Sequence, residues 1–333
     1  MRRLWMTAVL AGVCVTAACG TSAPATPSGV PAASRAPAAS GRTGTSPGST
    51  GTAPVPAGVT LSQTQLADGS VVTVAAFHGP VQYVLHNGSM DPGAAYARFV
   101  HAGPAVSAAE RPALLAAFNG GFLMRSRAGG YEQEGHVFRS LRHGLASLVI
   151  DRSGHARIGV WGVTVPAPGE SVYSVRQNLW PLVLNGNRTP ETDKWWRWGG
   201  TVGKVEHVAR SAVGQNAAGD LMYAASMSTT PADLANVLAS HGAQTAMELD
   251  INPEWVQLDT ASAPGGPLTA AIPRQVRPPS QYLAGWTRDF IAVLAPAAGT
   301  AARAASQPSA AARKFLTGCW RGVMVTAGSR RGG

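Results

Sequence analysis

Short apolar segments separated by glycine, proline, asparagine and aspartate recur from residue 59 to residue 294, and this spacing limits the folds open to the chain. Two such segments joined by a short turn-forming stretch predict a β-hairpin, because these residues adopt the backbone conformations that tight turns require. Three stretches fit this description, at residues 78–80, 152–154 and 218–220. The pattern therefore predicts sheets built largely from strands that are close in sequence.

Two helix signals lie among the hairpins. Asp91 as N-cap and Pro92 at the first helical position predict a helix that stops at Gly103. A clearer helix is predicted between Thr230, as N-cap, and Gly242, as the stop. Hairpins with interspersed helices predict an α+β fold, a single globular domain in which helices pack on a mixed, largely antiparallel sheet.

The cysteine content restricts how this domain is stabilised. The three cysteines of the chain, Cys14, Cys19 and Cys319, all lie outside residues 59–294. The domain therefore has no disulfide, no thiolate metal site and no cysteine nucleophile. At about 235 residues it is long enough to depend on a hydrophobic core.

The N-terminal residues predict export. Two arginines precede an apolar run at residues 4–18, which is too short for a membrane span and fits a signal peptide at residues 1–18. Small residues before Cys19 resemble a bacterial lipobox, so Cys19 is predicted to carry lipid and to anchor the protein in the membrane. The alternative is an ordinary signal peptide cleaved near Ala18. Both interpretations predict an extracytoplasmic protein, either anchored to the outer face of the cell membrane or secreted.

Two segments of low complexity flank the predicted domain. Residues 19–58 are almost entirely Gly, Ala, Pro, Ser and Thr, a composition that predicts a disordered linker. Residues 295–333 are predicted to be a disordered C-terminal tail. The domain itself is thus expected at residues 59–294.

The charge of the chain gives no support for a nucleic-acid partner. The formal net charge is +10, but residues 60–294 carry 17 basic and 17 acidic residues, so the excess lies in the two ends. Nucleic-acid binding requires a basic face on the folded part. No nucleic-acid partner is therefore predicted.

Two acids in the segment QTAMELDINPEW are the first candidates for chemistry. In a strand, Glu248 and Asp250 share one face and their backbones lie about 6.5–7 Å apart. Their carboxylates then suit either separation found in glycosidases, or belong to an acidic strand end that faces solvent. Trp255 follows a sharp turn, where it can stack on a sugar ring.

Two other motifs offer substrate contacts. In AAFNGGF, Asn119 with Gly120 and Gly121 forms either a cradle for a ligand or a tight turn. Arg210 at a strand start either grips a phosphate or pairs with a nearby acid. The histidines show no metal-ligand spacing, and no phosphate-binding or dinucleotide-binding loop occurs, so neither a metal nor a cofactor is predicted.

Three segments in order resemble the phosphodiester glycosidase domain family over roughly residues 70–294: AAFNGGF, RSAVGQNAAGDLMYAAS and TPADLANVLASHGAQTAMELD. The positions that match its motifs are Asn119, Gly120, Gly121, Phe122, Arg210, Gly214, Leu249 and Asp250. The resemblance implies hydrolysis of the glycosidic bond in a sugar-1-phosphate diester. It further implies that Asp250 is the acid/base or nucleophile, that Arg210 holds the phosphate, and that residues 119–122 bind substrate.

One departure from the family pattern leaves two hypotheses. INPEW replaces the Gly-Gly-Gly-Ser that follows the aspartate in the family. The first hypothesis is a hydrolase that acts on a glycan or sugar phosphate of the cell envelope, with Glu248 as a second carboxylate and Trp255 in the pocket. The second is a non-catalytic glycan-binding lipoprotein that uses the tryptophans of DKWWRWGG. The first requires Asn119, Arg210 and Asp250 to converge on one pocket.

Overall fold

β-Strands make up most of the regular structure in the computed structural model, which describes residues 55–296. The strands of this part of the chain are β1 (Val59–Gln65), β2 (Val71–Phe77), β3 (Gln82–His86), β4 (Leu114–Asn119), β5 (Tyr131–Gln133), β6 (His136–Arg139), β7 (Ala146–Ile150), β8 (Ala156–Val160), β9 (Ser174–Gln177), β10 (Pro181–Leu184), β11 (Asn187–Arg188), β12 (Val208–Asn216), β13 (Leu221–Thr229), β14 (Ala243–Glu248), β15 (Leu258–Ala261), β16 (Leu268–Ala270) and β17 (Phe290–Leu294).

Helices are few and short in the same part of the chain. The α-helices are α1 (Ala94–Ala97), α2 (Pro231–Ser240) and α3 (Gln281–Ala284). The 3-10 helices are Arg111–Ala113, Met124–Ser126, Pro190–Asp193, Trp195–Arg197 and Val202–Lys204. None of the helices in this range combines the length and the apolar character needed to cross a lipid bilayer.

The strands form three sheets, and every pair of neighbouring strands is antiparallel. The first sheet has the order β1-β2-β13-β12-β14-β10-β11, the second β16-β15-β4-β17-β3, and the third β6-β5-β9-β7-β8. Sheets with a few helices in one domain confirm the predicted α+β class, although strands dominate it.

A hydrophobic core shared by the three sheets holds the domain together. Phe77 of the first sheet stacks on Phe118 of the second, with ring centroids 5.9 Å apart, and Leu148 of the third belongs to the same buried cluster. On the other face of the first sheet, α2 packs Leu234 and Leu238 against the strands. A thiol-free domain therefore obtains its cohesion from continuous apolar packing.

Two of the three predicted hairpins are confirmed. β7 pairs with β8 across residues 152–154, and β12 pairs with β13 across residues 218–220. The predicted hairpin at residues 78–80 is wrong, because β2 lies between β1 and β13 and has no free edge for β3. The chain turns there but passes to the second sheet, where β3 pairs with β17.

The two predicted helices differ in outcome. α2 has the expected cap, since the Asp233 N–H donates to the Thr230 hydroxyl at 3.0 Å, and Gly242 follows with φ 90°. The helix expected after Asp91 is reduced to the four residues of α1. Asp91 is not its N-cap, because the carboxylate accepts hydrogen bonds from the Met124 N–H at 3.0 and 3.2 Å.

Several predictions fall outside the described residues. The signal peptide, the lipidation of Cys19, most of the linker and the tail beyond residue 296 are among them. They stay predictions.

We expect Phe118→Ala to lower the free energy of unfolding by about 3–5 kcal/mol, because it leaves a cavity where three sheets meet. Val163 is the matched control, since its side chain is 65% exposed. Val163→Ala should change stability by less than about 0.5 kcal/mol. Urea unfolding followed by tryptophan fluorescence measures both, and equal stabilities of the two variants would contradict this account of the core.

Candidate functional site

A cleft of about 430 Å³ opens where four segments outside the strands meet: the one after β4, the one between β9 and β10, the one before β12 and the one after β14. Its lining residues are Phe122, Leu123, Ser126, Ala128, Leu179, Trp196, Arg197, Gly199, Gly200, Asp250, Ile251, Asn252 and Trp255. Phe122, Asp250 and Trp255 are among the site residues that the sequence predicts. The other predicted site residues within the described part of the chain lie behind this surface: Asn119, Gly120, Gly121, Arg210 and Glu248.

Asp250 is the carboxylate of the cleft. It lies two residues beyond β14, where its Oδ1 accepts hydrogen bonds from the N–H groups of Ile251 at 2.7 Å and Asn252 at 2.9 Å. Its Oδ2 accepts from Arg288 Nη2 at 3.0 Å. Burial raises the pKa of Asp250 more than the Arg288 guanidinium lowers it. Asp250 is therefore an oriented carboxyl group whose pKa lies above that of an ordinary aspartate.

Arg288 fixes the position of Asp250 and was not predicted. Its Nη2 also donates to the Gly121 carbonyl at 2.8 Å, and its Nε lies 3.6 Å from Asp91 Oδ2. Its guanidinium carbon lies 4.2 Å from the centre of the Trp255 ring, at cation-π distance. One arginine thus connects the cleft carboxylate, the glycine segment and a cleft tryptophan.

Gly120 and Gly121 make room for a buried ion pair rather than for the cleft. Arg176 Nε lies 2.6 Å from Asp289 Oδ2. A Cβ at position 120 would lie 2.1 Å from that oxygen, and one at position 121 would lie 2.8 Å from the Arg176 guanidinium carbon. Any side chain at either position would displace the pair, which explains two consecutive glycines here.

Asn119 is buried and has its hydrogen-bonding groups engaged inside the protein. Its Nδ2 donates to the Gly120 carbonyl and to Ser211 Oγ, both at 2.9 Å. Its Oδ1 accepts from the Tyr223 hydroxyl at 2.7 Å and from the Gln257 N–H at 3.1 Å. The expected cradle is therefore an internal connection between strands in this structure.

Ser211 brings the three sequence motifs together. Its hydroxyl accepts hydrogen bonds from Asn119 Nδ2 and from the Asp250 N–H at 3.1 Å, and it donates to the Asp250 carbonyl at 2.9 Å. Asn119, Arg210 and Asp250 are consequently neighbours. They do not share one pocket, however, because Asp250 alone of the three lines the cleft. The convergence that the hydrolase hypothesis required of these three residues is therefore not met.

Arg210 and Glu248 form an ion pair that is fully buried. Arg210 Nη1 lies 2.7 Å from Glu248 Oε1 and donates to the Trp198 carbonyl at 2.9 Å. Burial raises the pKa of Glu248 to about 7, although the Arg210 guanidinium acts in the opposite direction. Arg210 was predicted either to grip a phosphate or to pair with a nearby acid, and the geometry shows the pairing with an acid. Neither residue lines the cleft, and neither Glu248 nor Asp250 faces solvent as an acidic strand end.

Two of the tryptophans of DKWWRWGG occupy different kinds of position, one buried and one exposed. Trp198 is buried, and its Nε1 donates to the Glu191 carbonyl at 2.9 Å, so it pins the loop. Trp196 is 61% exposed and lines the cleft. Arg197 beside it lies 4.6 Å from the centre of the Trp180 ring, and it is the one basic residue among the described residues that line the cleft.

Other residues around the site also escaped sequence reasoning. Asn178 donates to the carbonyls of Glu248 and Leu249 at 2.9 and 2.8 Å, and accepts from the Phe122 N–H at 3.2 Å. It thus ties the glycine segment to the end of β14. The sequence does contain a pattern that could have identified these residues: polar residues next to apolar strand segments, as in VRQN and TRDF. Such residues are costly to bury unless they are paired, so they indicate internal hydrogen bonds or ion pairs. Between residues 55 and 296, no three His, Cys, Asp or Glu side chains are grouped to hold a metal ion.

No family model matches this chain, and no curated protein sequence matches it significantly. Among solved structures, the zebrafish N-acetylglucosamine-1-phosphodiester alpha-N-acetylglucosaminidase catalytic domain, auto-inhibited by pro-peptide, is 16% identical with a TM-score of 0.46. That alignment covers 71% of this chain and 82% of the other. A hypothetical protein from Synechocystis is 13% identical with a TM-score of 0.45, over 72% of this chain and 62% of the other. Similarity at this level carries no inference about function.

We expect Arg210→Met to destabilise the domain by about 3–5 kcal/mol, because it leaves the Glu248 carboxyl buried without its partner. The double variant Arg210→Met with Glu248→Leu should recover most of that loss, since it removes both charges. Urea unfolding of the two single variants and the double variant measures the coupling. Additive losses would show that the pair does not act as a unit.

Proposed function

We propose that the domain is an extracytoplasmic hydrolase that cleaves the glycosidic bond of a sugar-1-phosphate diester, with Asp250 as its acid/base residue. This proposal differs from the hypothesis drawn from the sequence, because Asn119 and Arg210 lie outside the cleft, and the observation that carries it is the geometry of Asp250. It is a carboxyl group with a raised pKa, oriented by two backbone N–H groups and by Arg288, at the surface of a cleft that also holds tryptophans and an arginine.

The chemistry requires one carboxylate in this position. Asp250 accepts a proton from water as the water oxygen bonds to the anomeric carbon. The bond from that carbon to the phosphate oxygen breaks, and the phosphate monoester leaves with the bonding electrons. Because the leaving group is already an anion, it needs no second acid to protonate it. A base whose pKa is raised toward the working pH is more effective than an ordinary aspartate.

Arg197 is the residue that we assign to the phosphate. It is exposed at the cleft surface, whereas Arg210 is enclosed with Glu248. A guanidinium binds phosphate oxygens through charge-assisted hydrogen bonds and offsets the charge that the leaving group gains. In this proposal Arg210 does not contact the substrate. It positions the loop that carries Trp196 and Arg197, because it donates a hydrogen bond to the Trp198 carbonyl.

Two aromatic side chains are suited to the sugar. Trp196 and Trp255 both line the cleft, and Trp255 is held by Arg288 against the carboxylate region. An aromatic face stacks on the apolar face of a sugar ring while hydroxyls stay hydrated. The location in the cell envelope rests on the predicted signal peptide and on the predicted anchor at Cys19.

A second candidate function is favoured by the exposure of Trp196. A tryptophan that is 61% exposed at the edge of a cleft suits a module that binds glycan without cleaving it. In that case Asp250 would be a hydrogen-bonding group only. Binding without turnover would support this candidate.

We expect Asp250→Asn to lower turnover of an activated sugar-1-phosphate diester by roughly 10²–10⁴-fold, because the amide cannot accept the proton from water. Sugar release is the measurement, and circular dichroism checks the fold. Asp68→Asn is the matched control, since Asp68 lies in the turn after β1 with a side chain that is 41% exposed. A folded Asp250→Asn variant with the rate of the unmodified protein would exclude the assignment.

Arg197→Met should lower kcat/KM for the same diester by roughly 10–100-fold, because a charge-assisted hydrogen bond to the phosphate is lost. Binding of a neutral glycoside of the same sugar should be unchanged. Arg157→Met serves as control, since Arg157 lies in β8 of the third sheet and pairs with Glu170 at 2.9 Å. Equal losses for the neutral and the anionic ligand would argue against a phosphate contact.

A further inference from the structure

A second cavity, of about 450 Å³, adjoins the cleft. Its lining residues are Gly200, Thr201, Val208, Ala209, Met227, Ile251, Asn252 and Pro253. Gly200, Ile251 and Asn252 also line the cleft, so the two spaces meet across these residues. The proposed hydrolysis at Asp250 uses none of the space in this second cavity.

The lining of this second cavity is mainly apolar, and Thr201 and Asn252 are its polar residues. Val208, Met227, Ile251 and Pro253 supply aliphatic surface, and none of the eight lining residues carries a charge. The hydroxyl of Thr201 donates to a carbonyl of its own loop at 2.9 Å. Concave apolar surface of this size is typical of a binding site for an apolar group.

The boundary between the two spaces is the turn that orients the catalytic carboxylate. The N–H groups of Ile251 and Asn252 donate to Asp250 Oδ1, and the same two residues line both the cleft and the second cavity. In the proposed reaction the water bonds to the anomeric carbon on the Asp250 side, so the phosphate lies on the opposite side of that carbon, at Arg197. Arg197 precedes Gly200 by three residues, and Gly200 lines both the cleft and the second cavity. The alcohol part of a diester held by Arg197 is therefore close to the second cavity.

We infer that the substrate is a sugar-1-phosphate diester whose alcohol part is a long alkyl or isoprenoid chain, and that this chain occupies the second cavity. The inference rests on the proposed function for the position of the phosphate. It rests on the apolar lining for the chemical nature of the alcohol. Diesters that join the sugar phosphate to a second sugar would expose this surface to a polar group that it does not match.

Binding of ethyl, butyl, hexyl and octyl phosphate to the full-length protein tests the inference without requiring turnover. Each ligand is kept below its micelle-forming concentration, and isothermal titration calorimetry gives the affinities. We expect the affinity to rise roughly two- to fourfold per methylene until the cavity is filled, because each buried methylene leaves water. An affinity that does not depend on chain length overturns the inference.

Variants at Met227 locate the effect. Met227→Glu should lower the affinity for octyl phosphate at least roughly tenfold more than that for ethyl phosphate, since the new carboxylate repels both phosphates alike but opposes burial of the octyl chain alone. Met227→Leu, which keeps an apolar side chain of similar volume, should behave as the unmodified protein. Val163→Glu places the same charge on an exposed site in the turn after β8 and should have no effect. Equal chain-length dependence in Met227→Glu and Val163→Glu would place the chain elsewhere and overturn the inference.

A photoreactive probe decides the matter if Met227→Glu does not fold. An octyl phosphate with a diazirine at the end of its chain should label peptides that contain Val208, Met227 or Ile251, and labelling confined to other peptides contradicts the inference. The two proposals also fail separately. If the protein hydrolyses a methyl diester and binding does not depend on chain length, the inference about the alkyl chain is rejected and the hydrolase proposal stands. If the chain binds in the second cavity but no diester is hydrolysed, the hydrolase proposal is rejected and the inference about chain binding stands.

Discussion

The hydroxyl of Ser211 is the contact on which the geometry of the site depends. It joins the end of β4, the start of β12 and the residues after β14 through hydrogen bonds to Asn119 and to both backbone groups of Asp250. These are buried polar groups, and each would be costly to leave without a partner. The network therefore specifies where β14 ends and where Asp250 enters the cleft.

Three buried arginine–acid contacts surround this network. Arg288 holds Asp250, Arg176 holds Asp289, and Arg210 holds Glu248. Buried ion pairs are weak evidence for stability, because desolvation offsets most of their attraction. Their effect here is positional: Arg288 orients the carboxylate, Arg176 fixes the glycine segment, and Arg210 holds the loop that carries Arg197. The three buried contacts thus position the segments that line the cleft.

Much of the fold and part of the site could be predicted from the sequence. Local turn chemistry was sufficient for the β7–β8 and β12–β13 hairpins and for α2, whose cap and stop directly flank the helix in sequence. It failed after β2, because the partner of a strand depends on which edges are free, and β1 and β13 occupy both edges of β2. In the same way, the sequence AAFNGGF left a ligand cradle or a tight turn as the two interpretations. The actual role of its glycines could not be predicted, because the residues they make room for, Arg176 and Asp289, lie in remote segments.

By itself the sequence determined the β7–β8 and β12–β13 hairpins, that the domain contains no thiol, and that an aspartate follows the apolar strand β14, because these depend on residue type and local spacing. Only the tertiary structure decided which charges meet. Arg176 and Asp289 are 113 positions apart, and Arg288 and Asp250 are 38 apart. No local pattern encodes such pairs, since burial in a shared core selects the partners of a charge. For the same reason Arg210 was enclosed with Glu248, and Arg197 was left as the basic residue at the cleft surface.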